Sequence, residues 1–521
     1  MTELHDAVRV GAPAGGFPTR APTRTPGPAS ERASERASER VSERASEPAS
    51  ERASEPASEP AAAPASALTP APAAAGAAMA GAPGVAPPRA VLRAIVKLAA
   101  PTSLIALLQA VAQLIETWLA ARQGTAALAG WAVVLPFALL LQQMSTGAMG
   151  GGVVSAIARA LGAGKREDAS ALVLHALIIA ALAGLAFAIA LAGFPHAVLG
   201  AVAGATAAEA AAGYAIWLFG AGAVPAWLSN TMASVLRGGG RHALAARVLS
   251  LMWIAFPLLA WALAEPAGMG LAGIGAAFAL VSWAAALGMA VVVLRGGAGF
   301  VPVLRVRPNA ALFQRILSVG LVACGLAALA NLATILVTAQ LRPYGTAAVA
   351  AYGISARLEF LMIPLAFGVG SALTALVGRA VGAGDWAGAR RTAWIGALLA
   401  LALAGTIGIA VGLAPARFAS WFTSDAEVAA IAARALSWIA PAFGGFGLGM
   451  ALYFASMGAG RMRWPIAAGI ARIGLAAGGG WLLAHVGGMG LDGHFLGVAL
   501  GITAYGAVTA MGVRREVWSG R

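Results

Sequence analysis

The sequence has little of what a disulfide-bonded, metal-binding or soluble protein needs. Cys324 is its single cysteine, and its six histidines show no spacing typical of metal ligands. Charged residues make up only 11% of the 521 residues, whereas soluble domains contain about 25%. These scarcities exclude an intramolecular disulfide and argue against both a metal centre and a soluble protein.

Catalytic and nucleotide-binding motifs are missing as well. There is no Walker loop that would bind ATP, and neither a GxSxG nor an HExxH motif occurs. We therefore expect a protein that is not an enzyme, does not use ATP directly and carries no cofactor.

What the chain does contain is apolar sequence. Hydrophobic residues make up 60% of it, and its mean hydropathy is +0.80. A helix needs around 20 apolar residues to cross a bilayer. About twelve segments are long enough, and we place them at residues 98–120, 128–157, 170–193, 210–236, 243–264, 270–294, 316–341, 346–376, 392–414, 428–457, 464–486 and 489–512. The runs lack two-residue alternation, so the predicted fold class is all-α, a polytopic membrane protein of twelve transmembrane helices.

The net charge of +14 is concentrated in alternate loops. Clusters of Lys and Arg fall on one side of the membrane, here called the basic side, at residues 89–97, 159–166, 237–247, 295–315, 379–391, 461–472 and 514–521. The opposite side carries Arg122, Arg342, Arg417 and Arg434. This asymmetry argues against nucleic-acid binding, and the positive-inside rule predicts a cell inner membrane protein with both termini in the cytoplasm.

The chain is predicted to be a duplication. Residues 157–170 (IARALGAGKREDAS) are nearly repeated at 377–390 (VGRAVGAGDWAGAR), 220 residues later. Six spans per half is an even number, so the two copies are parallel and related by an axis along the membrane normal. We assign residues 89–305 to an N-lobe and residues 306–521 to a C-lobe. Pro225 and Pro441 predict helix interruptions in the two halves, which would suit rocking of one lobe against the other.

The N-terminal tail, residues 1–88, differs in composition from the rest. Residues 30–60 iterate Ser-Glu-Arg-Ala and Ser-Glu-Pro-Ala. Such a segment has no apolar face to bury, so we predict a disordered low-complexity extension, and a docking role is the less favoured alternative.

The first span carries a polar stripe. Gln109, Gln113 and Glu116 follow an i, i+4, i+7 pattern and therefore share one helix face, and Gln109 and Gln113 are candidates for lining a substrate cavity. A carboxylate at membrane depth is expensive and commonly binds ions or protons, so Glu116 is the leading candidate for ion coupling. The alternative is that Glu116 reaches the headgroup region and pairs with Arg122.

Two further polar features lie in the second half. Asn331, Thr334 and Thr338 share a face of the seventh span, either lining a cavity opposite Glu116 or simply bonding between helices. Glu359 lies near mid-membrane in the eighth span, two residues from Arg357. It could be a second coupling carboxylate or half of a structural ion pair.

Several of these motifs together resemble the multidrug and toxic compound extrusion (MATE) family. The resemblance rests on 98–109 (LAAPTSLIALLQ), Glu116-Thr117, 124–129 (GTAALA), 158–164 (ARALGAG) and the second copy at 364–384, and it spans residues 93–515. It implies twelve helices in two lobes and an antiporter that expels organic, often cationic, compounds against inward H⁺ or Na⁺. Glu116-Thr117 occupies the place where family members commonly have Asp followed by Thr, so the carboxylate role carries over.

Other family features are absent, which leaves the coupling ion open between H⁺ and Na⁺. The fifth span, around 249–263, lacks the Asn and Asp of one branch, and Ala330-Asn331 stands where another branch has an acid. Candidate cavity-lining side chains are Trp118, Gln142, Gln143, Trp217, Trp227 and Asn230, although a Trp is equally typical of an interfacial anchor. The expected partners are membrane lipid and small organic substrates, with no nucleic acid, and we expect a monomer.

Two other functions remain possible from the sequence. A flippase for lipid-linked sugars would share the bundle but need several cations deep in its cavity, where only Arg357 is well placed. A receptor or scaffold that transports nothing would be indifferent to neutralising Glu116.

Overall fold

The computed structural model describes residues 87–514 and Trp518. The predicted low-complexity tail therefore lies outside the described residues, apart from positions 87 and 88. Within the described range the chain is almost entirely helical, and its helices are connected by short turns except at residues 295–309, a longer non-helical connection. The helices, numbered in chain order, are α1 Pro88–Arg122, α2 Thr125–Gly162, α3 Arg166–Gly193, α4 Pro195–Ala203, α5 Ala208–Ala221, α6 Ala223–Gly238, α7 His242–Ala264, α8 Gly270–Leu294, α9 Ala310–Tyr344, α10 Thr346–Gly382, α11 Trp386–Leu413, α12 Pro415–Ser420, α13 Ala426–Ala459, α14 Arg463–His485 and α15 Leu491–Met511.

The predicted membrane spans agree with these helices. Eleven helices are long and apolar enough to cross a bilayer, and α5 with α6 supplies a twelfth if this pair, bent by 45°, is one span. The two short helices α4 and α12 connect spans on the side opposite the basic loops. The all-α, twelve-span fold class is therefore confirmed.

The helix interruptions lie near the predicted prolines. The α5–α6 bend falls at Gly222, three residues before Pro225, and α13 contains a single 3₁₀ turn, Ala440–Ala442, centred on Pro441. Proline cannot donate a backbone hydrogen bond, so it relaxes the helix at these points. The fourth span of each half therefore contains a weakened point in its helix.

The duplication is visible in backbone geometry. Gly124, before α2, has φ +102° and ψ 170°, and Gly345, before α10, has φ +97° and ψ 170°. Glycine accepts this conformation because it has no Cβ. The short helices α4 and α12 begin at Pro195 and Pro415, 220 residues apart. Two copies of one six-span unit have kept the same turns.

The two lobes are held together at the basic side. A Cβ on Gly162 would lie 2.1 Å from the Arg379 carbonyl oxygen, and a Cβ on Gly382 would lie 2.1 Å from the Arg159 carbonyl oxygen. The ends of α2 and α10 thus cross at reciprocal glycine contacts. The Arg159 guanidinium also donates to the Gly458 carbonyl oxygen at 3.2 Å.

No hydrogen bond or ion pair between the lobes is found on the opposite side within residues 87–514. Those recorded between the lobes join Ser155 with Met457 and Gly458, Arg159 with Gly458, Asp168 with Arg315 and His175 with Asn309, all at the basic side. The lobes are therefore closed at one end and parted at the other.

Exposure along α10 follows the same pattern. Gly353, Arg357, Phe360, Phe367 and Ser371 lie on one stripe of this helix, because they are spaced at whole turns. The first three are exposed, Phe367 is half-buried and Ser371 is buried. Phe367 faces Gly147 of the other lobe. The stripe thus lines a cleft between the lobes that opens away from the basic side.

Candidate functional site

Glu116 points into the N-lobe rather than toward the headgroup region. Its residue is 8% exposed, although it lies only six positions before the end of α1. The carboxylate oxygen Oε1 accepts a hydrogen bond from Trp131 Nε1 on α2, at 3.3 Å, and another from the Tyr214 hydroxyl on α5. Three helices therefore position one buried acid.

Arg122 does not pair with Glu116, so the headgroup alternative is wrong. Its Nε instead lies 2.6 Å from Oε1 of Glu265, which follows α7 at the opposite side. The hydrogen bond from Arg122 holds the pKa of Glu265 below its usual range, with a smaller contribution from the Trp261 indole. Within the described residues Glu116 has no basic partner.

The rest of the polar stripe continues from Glu116 toward the start of α1. Gln109 and Gln113 are half-buried and make no side-chain hydrogen bond within the described part of the chain. Their amide groups thus remain available to water or to a solute.

A second polar cluster lies elsewhere in the N-lobe, between α2 and α6. Asn230 Nδ2 donates to Gln142 Oε1 at 3.1 Å and to Ser145 Oγ at 2.9 Å. Gln143–Ala148 forms a π-helical turn, a local widening that often occurs at functional sites. The structure brings the candidates Gln142 and Asn230 together.

Two of the candidates on α9, Asn331 and Thr338, bond back onto their own helix. Asn331 Nδ2 donates to the Ala327 carbonyl oxygen at 2.9 Å, and the Thr338 hydroxyl donates to the Thr334 carbonyl oxygen at 2.8 Å. The structure records no contact of these residues with Glu116. That Asn331 and Thr334 line a cavity opposite Glu116 stays a prediction.

Glu359 is engaged in an ion pair across the C-lobe. Its Oε1 accepts from Arg472 Nη2, and the two side chains are 12% and 14% exposed. The Arg472 guanidinium also lies 5.4 Å from the Phe446 ring centre and 5.8 Å from that of Tyr505. Of the two possibilities for Glu359, the structure contains the ion pair, with a partner on α14 rather than Arg357.

The assignment of Arg472 to a basic loop is wrong. It lies nine residues into α14, which is about 14 Å along the helix axis. The sequence places it beside a loop cluster because hydropathy does not resolve a single charge near a span end. The charge is tolerated there because Glu359 neutralises it.

The tryptophan candidates have diverse environments. Trp118 and Trp217 are exposed, whereas Trp227 is buried in the N-lobe core, with its ring centre 6.3 Å from that of Phe187. Sequence reasoning missed Trp131 and Tyr214, the two groups that bond Glu116. Tyr214 is one of only five tyrosines and lies in the Ala-rich segment 205–215. An isolated phenol in such a segment was the one sequence signal that could have marked it as a polar partner.

The environment of Glu116 is suited to binding a proton or a cation. A lone carboxylate in an apolar bundle is unfavourable while charged, so it gains from a proton or a positively charged solute. No cluster of three or more His, Cys, Asp or Glu suited to a metal ion is found in the part of the chain that the structure describes.

Comparisons with known proteins agree with this architecture. The sequence model of the MatE family matches twice, at residues 101–261 and 323–482. A comparison with curated proteins gave no match. Among solved structures, the Vibrio cholerae MATE transporter VcmN in its bent form has a TM-score of 0.76 and 21% identity, covering 82% of this chain and 98% of that one.

Two other solved structures have the same fold. A MOP superfamily transporter from Pyrococcus furiosus, described as having a binding pocket of reverse polarity, has a TM-score of 0.76 at 22% identity, and the match covers 82% of this chain and 96% of that one. A multidrug resistance MATE transporter in an outward-facing conformation has a TM-score of 0.75 at 22% identity and covers 83% and 98%. Because the family model matches more than half of the sequence, the chain belongs to the MatE family of multidrug and toxic compound extrusion transporters.

Proposed function

We propose that the chain is a secondary active antiporter that exports organic, often cationic, compounds in exchange for protons. The observation that carries this proposal is the environment of Glu116, an acid buried among three helices with no basic partner in the described residues. The other intramembrane acid, Glu359, is neutralised by Arg472. Glu116 is thus the carboxylate whose charge is free to change.

The groups around Glu116 favour H⁺ over Na⁺. Both of its recorded partners, the Trp131 indole and the Tyr214 hydroxyl, are donors directed at the same carboxylate oxygen. Hard cations prefer several oxygen ligands. A proton needs only the carboxylate, and its arrival removes the charge that would hold a cationic solute.

Alternating access follows from the two-lobe arrangement. In the described conformation the lobes meet at the basic side and part at the opposite side. We propose that the basic side faces the cytoplasm, so that protons reach Glu116 from outside. Protonation would release the exported cation, and rocking of the lobes would then expose the site to the cytoplasm.

The proposal is tested by dye transport in proteoliposomes. Wild type, Glu116→Gln and Glu116→Asp are compared under a pH gradient alone and under a Na⁺ gradient alone, with a fluorescent organic cation as substrate. We expect wild type to respond to the pH gradient, Glu116→Gln to lose at least 90% of the activity, and Glu116→Asp to retain part of it.

Glu265→Gln is the matched control, because it removes a carboxylate at the membrane edge that Arg122 already pairs. This variant should transport like wild type. Transport by Glu116→Gln at the wild-type rate would contradict the role of Glu116, and a response to Na⁺ alone would contradict proton coupling.

A flippase for anionic lipid-linked sugars is the second candidate. Arg357 favours it, since this residue is exposed on the α10 stripe that lines the cleft. It is also supported by the Pyrococcus furiosus transporter of the same fold, which is described as having a binding pocket of reverse polarity. If wild type moves no dye under either gradient but translocates a fluorescent lipid diphosphate, and Arg357→Gln does not, this candidate replaces the first.

A further inference from the structure

Arg237 is a buried cation at the floor of the interlobe cleft. It is the penultimate residue of α6, yet its side chain is only 2% exposed. Its guanidinium carbon lies 5.8 Å from the ring centre of Phe367 on α10 of the other lobe. Phe367 lies fifteen residues before the end of α10, about 22 Å along that helix. Arg237 therefore extends from a helix end into the membrane interior.

No carboxylate neutralises this charge within the described residues. The ion pairs found there are Arg122–Glu265, His196–Glu209, Arg315–Asp168, Arg434–Asp492 and Arg472–Glu359. Arg237 Nε is buried without a hydrogen-bond partner. A buried cation needs a counter-ion or several acceptors, and the Phe367 ring supplies only a weak attraction. Arg237 is thus a buried cation without a counter-ion among the described residues.

The side chains around the cavity can supply hydrogen-bond donors. Arg237 borders a small cavity together with Thr146 of the N-lobe and Ser371 of the C-lobe. The hydroxyls of Thr146 and Ser371 make no hydrogen bond within residues 87–514, so both can donate into the cavity. Thr374, also at the cavity, donates instead to carbonyl oxygens of Gly370 and Phe454. One guanidinium and two free hydroxyls form a donor set suited to an anion.

The size of the cavity restricts the anion. Its volume is about 10 Å³, so it has room for a single small particle and none for an organic anion. We propose that this cavity binds a small monovalent anion of chloride size, held by Arg237, Thr146 and Ser371. Because its ligands come from both lobes, the bound anion stabilises the conformation that is closed at the basic side. Opening the lobes at that side separates the ligands and releases the anion.

Anion binding is tested on the purified full-length protein in detergent. Thermal unfolding is followed in sodium chloride and in sodium gluconate at equal ionic strength, because gluconate is too large for the cavity. We expect a saturable rise in melting temperature with chloride and with bromide, and none with gluconate. Diffraction from bromide-soaked crystals should give an anomalous peak between Arg237 and Ser371.

Two variants and a control make the test specific. Arg237→Gln should weaken chloride binding at least tenfold, and Ser371→Ala, a smaller change that keeps the charge, should weaken it by a lesser factor. Arg417→Gln removes an equal charge from the exposed helix α12 and should keep the full chloride effect. The assay needs no transport, so it stands apart from the proposed antiport function.

Either of two results would overturn the proposal. One is a wild-type melting temperature that responds equally to chloride and gluconate, which would mean that the cavity holds water alone. The other is an undiminished chloride effect in Arg237→Gln or, if that variant does not fold, in Ser371→Ala.

Discussion

Neutralising Glu359 alone should destabilise the protein far more than removing the whole ion pair. Glu359→Gln would leave the Arg472 guanidinium uncompensated in a setting where both side chains are at most 14% exposed. Breaking a buried pair from one side costs about 3–5 kcal/mol. The rings of Phe446 and Tyr505 would still attract the guanidinium, so we expect about 3 kcal/mol, more than a hundredfold in the folding equilibrium.

The assay is a double-mutant cycle on unfolding in mixed micelles. Glu359→Met combined with Arg472→Met should recover most of the loss, because replacing both partners removes both buried charges. The exposed pair Arg434–Asp492, with side chains 57% and 27% exposed, is the control and should show a coupling below about 1 kcal/mol. A Glu359→Gln variant as stable as wild type, or a double variant no better than the single one, would refute the reasoning.

Two further predictions concern the basic-side closure and the membrane edge. Gly382→Leu should prevent the lobes from closing at the basic side, because its Cβ would lie 2.1 Å from the Arg159 carbonyl oxygen. Distances between spin labels on the two lobes, measured at the basic side, should therefore lengthen. Gly353→Leu on the same helix is the control and should leave these distances unchanged, because a Cβ there would have no atom within 4 Å. Arg122 lowers the pKa of Glu265 from its ordinary value of 4.5, so the stability from this pair is present above pH 4.5 and is lost as the pH falls through the lowered pKa. Arg122→Gln should therefore reduce the acid-dependent fall in melting temperature between pH 5 and pH 3, and an unchanged profile would show that the pair contributes nothing.

The spans and the first-span acid were predictable because they depend on local sequence. Hydropathy located all twelve spans, and the glycine-rich repeats, such as 157–170 and 377–390, revealed the duplication. Helical periodicity placed Gln109, Gln113 and Glu116 on one face. The partners of Glu116 could not be found in this way, since Tyr214 is 98 positions away and nothing in its own neighbourhood indicates which helix it will meet.

Arg237 and Arg472 show the same limit for charged residues. The positive-inside rule assigns both to loop clusters at the basic side, yet neither side chain remains in a loop. Long basic side chains extend well away from their Cα atoms, so a position near a span end does not fix where the charge lies. Arg472 reaches a carboxylate and Arg237 does not.

The sequence by itself determined the class, the number of spans and the internal repeat, because an apolar solvent imposes length, hydropathy and periodicity on each helix separately. Tertiary structure decided which acid is neutralised, which cation is left unpaired and at which side the lobes meet. Those outcomes depend on packing between helices more than 90 residues apart, and a single helix can encode which face it presents but not which helix will cover that face.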